Sequence, residues 1–328
     1  MQSIDIIGGS GFIGSRLALR LLPNKDLSIN IIDKVPSNVC PNIMKLGDVR
    51  SVESLRKVVS TDSVIINLAA EHRDDIRSAK IYDEVNVGGA RNICKVAREK
   101  NVKSIIFTSS VAVYGFAPFG TNELGEVAPF SDYGRTKFEA EEIFRQWQAE
   151  SPSERSLVII RPTVVFGEKN RGNVYNLFQK IALRKFVMVG DGRNCKSIAY
   201  VENLAAFIEF VLSFNAGVHL YNFVDKPDLS MNDLVAKVNK ILGYSNSSRL
   251  RVPFLVGLLI GKGFDFLAYL TGKNFTLSSI RVRKFCANSV YDSSIDRTGF
   301  VSPISLDCAL EKTVRYEFIS SNNADYDG

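Results

Sequence analysis

The pair of residues best suited to chemistry is Tyr133 and Lys137, in the run Tyr133-Gly134-Arg135-Thr136-Lys137. The run opens a helical pattern over 131–150, and a spacing of four places both side chains on one face, one turn apart. A free tyrosine has a pKa near ~10, too high for a base at neutral pH; a neighbouring cation lowers it, so the pair is a candidate proton shuttle. Ser109 and Ser110 stand upstream, at the end of a β-branched run. Ser110 is placed to hold a reacting hydroxyl in line with the tyrosine oxygen. A YxxxK spacing also arises by chance on helix surfaces, so its weight comes from what precedes it along the chain.

At the amino terminus, Gly8-Gly9-Ser10-Gly11-Phe12-Ile13-Gly14 follows an apolar strand and opens a helix. In that context Gly8 allows a tight turn, Gly11 lets the backbone approach a pyrophosphate, and Gly14 permits close helix packing; Phe12 and Ile13 lie at the helix end that faces the phosphates. Asp33, 19 residues after Gly14, is positioned to accept hydrogen bonds from ribose hydroxyls and to repel a 2′-phosphate, which favours NAD over NADP, although Lys34 beside it partly offsets the repulsion. Asp48 and Val49, after a third strand, are expected at the adenine edge. Leu68, Ala69 and Ala70, after a fourth, supply small residues against the cofactor, and Ser109 joins the cofactor set. An oxidised nicotinamide would then add to the Lys137 ammonium in lowering the Tyr133 pKa.

These residues need a scaffold, and the pattern supplies one. Ile4–Ile7, Ile29–Ile32, Val64–Leu68, Ile105–Thr108 and Leu157–Ile160 read as strands, with helices at about 12–22, 51–59, 84–100 and 131–150. Alternation of this kind implies an α/β fold of the Rossmann type, a doubly wound parallel sheet. The expected cofactor domain is 1–162, with a helix at about 201–213 and a strand at about 220–224 bringing 195–225 back to it. Residues 163–194 and 226–320 form a smaller substrate-binding lobe, and 321–328 a frayed tail.

Composition narrows the function. The 328 residues are 45% apolar, enough for a full core, and the net charge of +6 arises from 41 basic residues scattered among 35 acidic ones, without the dense tract that nucleic acid requires. Only Arg249–Lys284 leans basic, which suits an anionic substrate or membrane surface. Cys40, Cys94, Cys195, Cys286 and Cys308 show no CxxC or histidine pairing, so no metal is expected and a reducing cytoplasm fits. A strand beginning at Ile4 leaves no room for a signal peptide.

Taken together, the glycine turn, Asp33, NLAA at 67–70, TSSVAVYG at 108–115 and YGRTK at 133–137 resemble the extended short-chain dehydrogenase/reductase superfamily, in its epimerase and dehydratase branch. The resemblance covers nearly the whole chain. It implies catalytic roles for Ser110, Tyr133 and Lys137, and a place for Asn86 beneath the nicotinamide. A narrower resemblance is carried by AEHRDDI at 70–76, RPTVVFGEKNRGNVYNLF at 161–178, KSIAYVENLAAF at 196–207, YNFVDKPDLSMNDLV at 221–235 and SSIRVRKFCA at 278–287. These stretches are similar to the bacterial undecaprenyl-diphosphate-linked N-acetylglucosamine 4-epimerases of O-antigen assembly.

That similarity implies C4 oxidation, rotation of the 4-ketone and hydride return, with NAD retained. Arg281 and Arg283, read as one face of a strand, are candidates for the diphosphate, as are Asn176 and His72 for the substrate; a solvated basic edge is the bland alternative for the arginines. Residues 252–271 are the most apolar window, broken by Lys262 and Asp265. They read either as an interfacial segment against an anionic leaflet, flanked by Arg249, Arg251 and Lys273, or as a buried helix pair. The expected partners are a lipid-linked amino-sugar diphosphate, the cytoplasmic face of the inner membrane and a second copy of the chain, with no nucleic acid. A UDP-N-acetylglucosamine 4-epimerase, and a nucleotide-sugar or hydroxysteroid oxidoreductase with net redox change, remain as alternatives.

Overall fold

A computed structural model describes residues 1–72, 78–245, 250–271 and 278–320. Its elements run β1 (Gln2–Ile7), α1 (Phe12–Leu21), β2 (Leu27–Asp33), β3 (Met44–Leu46), α2 (Val52–Val58), β4 (Val64–Asn67), α3 (Ala79–Tyr82), α4 (Gly89–Glu99), β5 (Ser104–Thr108), α5 (Asp132–Ala149), β6 (Ser156–Pro162) and β7 (Val164–Phe166). The chain continues with α6 (Asn173–Ala182), β8 (Met188–Val189), β9 (Cys195–Tyr200), α7 (Val201–Phe210), β10 (Gly217–Phe223), β11 (Asp225–Ser230), α8 (Met231–Ile241), β12 (Arg251–Val252), α9 (Phe254–Thr271), α10 (Ser279–Cys286) and α11 (Leu306–Arg315).

The chain divides into two compact units. The first comprises 1–165, 201–224 and 291–303. Its seven parallel strands lie in the order β10-β6-β5-β4-β1-β2-β3. The strands read as unbroken apolar runs because helices cover both faces. Ile4, Ile6, Ile31, Ile65, Ile66, Ile105, Leu157 and Ile159 are fully buried. The doubly wound parallel fold expected from the sequence is therefore present. The strand order reverses between β1 and β4, the position at which such sheets bind ligands beyond the carboxyl ends of their strands.

Helix α5 forms because Ser131 caps it, accepting from the Gly134 N–H at 3.2 Å, and because its buried residues recur at helical spacing. Ala140, Phe144 and Trp147 pack with Ile105, Phe107, Leu157 and Ile159 in one apolar cluster. The segment read as one helix over 84–100 is a π-helical stretch, Asp83–Gly88, running into α4. Helix α7 is tied to α1 by ion pairs of Arg16 with Glu202 (3.1 Å) and Arg20 with Glu209 (2.5 Å).

The second unit comprises 166–200, 225–290 and 304–328, so residues 195–200 belong to it, while 291–303 returns to the first. Within it β9 pairs antiparallel with β11, β8 pairs parallel with β12, and Lys237 on α8 meets Asp307 on α11 at 2.7 Å. Two expectations are corrected here. The SSIRVRKF stretch is a helix, α10, capped by Ser278, and not a strand. Arg281 and Arg283 are exposed to either side of the buried Val282 and do not share a face, since positions two apart on a helix diverge by about 200°. The apolar window is one helix, α9, rather than a buried pair. Only Gly257 and Gly261 are buried, and Leu255, Leu259, Phe266 and Leu270 are each more than 60% exposed. Residues 73–76 of the AEHRDDI motif, Arg249, Lys273 and the tail at 321–328 lie outside the described residues.

Candidate active site

The turn after β1 is built for a close approach. Gly8 has φ +80°, and a Cβ on it would come within 2.6 Å of the Ala69 backbone nitrogen. Leu68 N–H donates to the Ile7 carbonyl at 2.8 Å, so the ends of β1 and β4 are held together where the strand order reverses. Helix α1 starts at Gly11 with no side-chain cap and no acid in its first turn. Helices α2, α5, α8, α10 and α11, by contrast, are each capped by a serine. The positive end of α1 is thus left for an anion. Asp33 accepts from the Ser10 and Val35 N–H groups, both at 3.1 Å, which holds its carboxylate beside the turn. These residues fit NAD: a pyrophosphate at the start of α1 and ribose hydroxyls on Asp33.

The catalytic candidates lie in the same unit, at the carboxyl end of β5 and the start of α5. Gly134 decides their proximity. A Cβ there would stand 2.4 Å from the Ala112 carbonyl oxygen, so glycine lets the first turn of α5, carrying half-buried Tyr133, rest on the 3-10 turn Val111–Tyr114. Ser110 caps that turn, its Oγ accepting from Ala112 N–H at 3.1 Å. One helical turn beyond Tyr133, Lys137 is only 2% exposed, with its Nζ 4.3 Å from the centre of the Phe107 ring. Burial pushes its pKa down to about 7, with the Glu141 carboxylate partly opposing the shift.

Other expected contacts take different forms. The Ser109 hydroxyl is buried and donates to Glu141. Asn86 accepts from Glu71 N–H at 2.9 Å and donates to the Glu71 carbonyl and to Thr136 Oγ1, so its side chain ties the segment after β4 to α5. The Val49 side chain is buried and its carbonyl accepts from Asn92 Nδ2 at 2.8 Å. Hydrogen bonding to Arg50, at 2.6 Å, holds the Asp48 carboxyl below its ordinary range. Phe12, Ile13, Leu68, Ala69 and Ala70 are half-buried around the turn. His72 is exposed, and His219 bonds the Asn215 carbonyl at 3.0 Å, a structural role. Asn176 lies exposed on the first turn of α6 in the second unit, as do Arg281 and Arg283 on α10.

Sequence reasoning misses Gly134, hidden inside the YxxxK motif, and Glu141, which continues the Tyr133–Lys137 stripe by a further four residues. It also misses Arg161. This residue and Glu141 form a bidentate ion pair at 2.6 and 2.9 Å, both side chains fully buried.

The geometry sets two expected outcomes. Gly134→Ala forces α5 off the Val111–Tyr114 turn; by the usual sensitivity of reactive geometry to ångström-scale displacement, turnover is expected to fall about 100-fold, measured in NAD-loaded protein. For Lys137 the unfolded chain keeps its proton up to 10.5 and the folded, cofactor-free protein only to about 7. The unfolded state binds the extra proton between those values, so stability rises with pH there. Cofactor-free Lys137→Met should therefore melt above the cofactor-free parent at pH 7 and lose that margin toward pH 10, while turnover is abolished. A parent that melts higher at pH 7 would contradict the burial cost.

Comparison with known proteins fits this geometry. Residues 4–223 match the NAD dependent epimerase/dehydratase family. The chain is 46% identical, over 99% of its length and 98% of the relative's, to the N-acetyl-α-D-glucosaminyl-diphospho-ditrans,octacis-undecaprenol 4-epimerase of Escherichia coli O157:H7. It is 29% identical to the UDP-glucose 4-epimerase of Vibrio cholerae, covering 83% of this chain and 86% of that one. Among solved structures, the UDP-glucuronic acid 4-epimerase of Bacillus cereus in complex with NAD superposes with a TM-score of 0.74 at 19% identity, covering 96% of this chain and 98% of that one. The uncapped glycine turn, the Asp33 carboxylate and the Ser110, Tyr133 and Lys137 edge thus sit in a chain that belongs to the NAD-dependent epimerase/dehydratase family.

Proposed function

We propose that this protein is an NAD-dependent 4-epimerase that interconverts N-acetylglucosamine and N-acetylgalactosamine on undecaprenyl diphosphate, for O-antigen assembly. The observation that carries the reaction is the seating of Tyr133 on the turn capped by Ser110, with Lys137 buried one turn further on. The substrate rests on similarity to the Escherichia coli enzyme over 326 residues, which runs through the second unit as well as the first.

NAD, when bound, supplies reversible acceptance of the C4 hydride. Ser110 holds the C4 hydroxyl, and Tyr133 as phenolate takes its proton. The Lys137 ammonium would stabilise the phenolate and help to hold the nicotinamide ribose. Once the 4-ketone has turned its other face, Tyr133 returns the proton to the new alkoxide. No net redox change results.

Contact with the membrane is part of this proposal. Helix α9 has 18 residues and a mean hydropathy of 1.5, long and apolar enough by length and composition to cross a bilayer. Lys262 and Asp265 near its middle favour an interfacial position instead. Its narrow buried face lies on α10: a Cβ on Gly261 would stand 2.8 Å from Ser279 N. Asp265, the one acid on the two helices, accepts from Ser279 N–H at 3.2 Å. Lys262, Arg281, Arg283 and Lys284 lie on the same pair, a charge balance that suits an anionic leaflet.

The reaction is tested by incubating purified protein with lipid-linked N-acetylglucosamine and no added NAD, then analysing the sugar. The galacto epimer is expected. Turnover of UDP-N-acetylglucosamine alone would assign a soluble nucleotide-sugar epimerase, and stoichiometric NADH a net oxidoreductase. For the membrane, Leu255→Glu with Leu259→Glu removes two side chains worth about 2 kcal/mol each when fully buried in apolar surroundings. The doubly substituted protein should leave the membrane pellet with its NAD content unchanged; unaltered pelleting would exclude α9 as the contact.

A further inference from the structure

A chain of buried polar groups that the reaction itself does not use lies beneath the catalytic edge. The Ser109 hydroxyl donates to Glu141, and Ser109 N–H donates to the Ile160 carbonyl at 2.6 Å, so the residue before Ser110 is pinned at two points. Arg161 on β6 grips Glu141 with two donors, at 2.9 and 2.6 Å, and gives a third to the Tyr114 hydroxyl at 2.7 Å. Tyr114 donates to Asn222 Oδ1 at 2.8 Å, and Asn222 Nδ2 donates to the Asp292 carbonyl at 2.9 Å. Every link lies in the first unit. Glu141 is wholly buried and Arg161 is 2% exposed, so neither charge is kept for solubility.

Such a pair is a poor means of stabilising a core, because desolvation offsets most of the attraction, and apolar residues of similar volume do as well. Its placement suggests what it does instead. Tyr133, Lys137 and Glu141 recur every four residues along one stripe of α5. The stripe that presents the base and the ammonium therefore also holds, through Glu141, the strand end that presents Ser110. We propose that Glu141, clamped by Arg161, is a positioning residue for this reaction: it locks the Ser109–Ser110 strand end to α5 and so sets the hydroxyl of Ser110 against Tyr133. A hydrogen bond to a buried, doubly gripped carboxylate is well suited to this, since the acceptor cannot move without breaking the ion pair.

A second consequence is electrostatic. The charged group that acts on Lys137 is Glu141, four residues on along its own helix, which partly opposes the downward push of burial; Arg161 on β6 stands behind Glu141, Tyr133 lies one turn back on α5, and the Phe107 ring lies against the amine. Removing the carboxylate takes away the charge that opposes burial, so the Lys137 ammonium loses its proton at lower pH.

The inference rests on the epimerase reading for its chemistry but not on the lipid. The test uses the NAD-loaded full chain and whichever sugar donor the parent turns over, so failure with the lipid-linked donor counts against that substrate and not against Glu141. Ser109→Ala keeps the ion pair and the fold, and kcat should fall about tenfold with KM changed by less than about twofold. Glu141→Gln should lower kcat further, about 100-fold, and move the alkaline limb of the kcat profile downward by about a pH unit. The double variant Glu141→Gln with Arg161→Met, which removes the unpaired guanidinium, should recover the melting temperature but neither the limb nor kcat. If Ser109→Ala and Glu141→Gln lower the melting temperature yet keep kcat per NAD-loaded molecule within about twofold and the limb in place, the pair is structural and the proposal fails.

Discussion

The docking of α5 along β5 and β6 is the constraint on which the rest depends. Toward its carboxyl end the helix buries Phe144 and Trp147 completely, and nearer its amino end it buries Lys137 and Glu141. The two sets have opposite energetics. Each fully buried large apolar side chain contributes about 1.5–3 kcal/mol, whereas the amine loses its hydration. The apolar end anchors the helix in a position that the polar end would not choose for itself. A lysine whose ammonium is strained in the cofactor-free protein is what a tyrosine base requires, because the free energy missing from its own solvation becomes available for stabilising a phenolate.

Much of this is legible in the sequence, and the remainder is hidden for physical causes. Strands covered on both faces are runs of isoleucine and valine, so β1, β2, β4, β5 and β6 stand out, as does the glycine turn placed between a strand and a helix. The motif residues Tyr133 and Lys137 can be read because their geometry is local to one helix. Glu141 and Arg161 cannot be paired: they are 20 residues apart in sequence, on a helix and a strand, and only the packing of those two elements brings them together. The SSIRVRKF stretch misleads because Ile280, Val282 and Phe285 are interleaved with basic residues, imitating a half-buried strand, while its helix rests on the Ser278 cap and on contact with α9. For α9, composition alone fits a buried helix and an interfacial one equally, and burial by neighbouring elements is a property of tertiary structure.

The two units differ in construction. The residues proposed to hold NAD and to move protons lie at strand ends and helix starts of a parallel sheet, where their positions are set by backbone. The second unit has short strand pairings, short helices and an exposed apolar helix, and it carries several of the stretches in which the chain resembles lipid-linked epimerases. In the proposed epimerisation the 4-ketone turns over beside a base whose own position does not change, which suits a tyrosine fixed by the packing of α5.

A cofactor that is borrowed and returned within each cycle has no reason to leave, and the structure contains two features that penalise its loss. Helix α1 has an uncapped, unneutralised amino terminus, and Lys137 has a buried amine that, among the described residues, has no ion-pair partner. Either could have been relieved by a single substitution, a serine cap or a shorter apolar side chain, and five other helices of this chain show that serine caps were accessible. Both costs are borne by the cofactor-free protein and, in the proposed binding mode, would be relieved by a pyrophosphate at α1 and a ribose hydroxyl at Lys137. Because only the folded state offers these partners, that relief appears as binding free energy. In the proposed reaction the groups that serve the chemistry therefore also favour retention of NAD between turnovers.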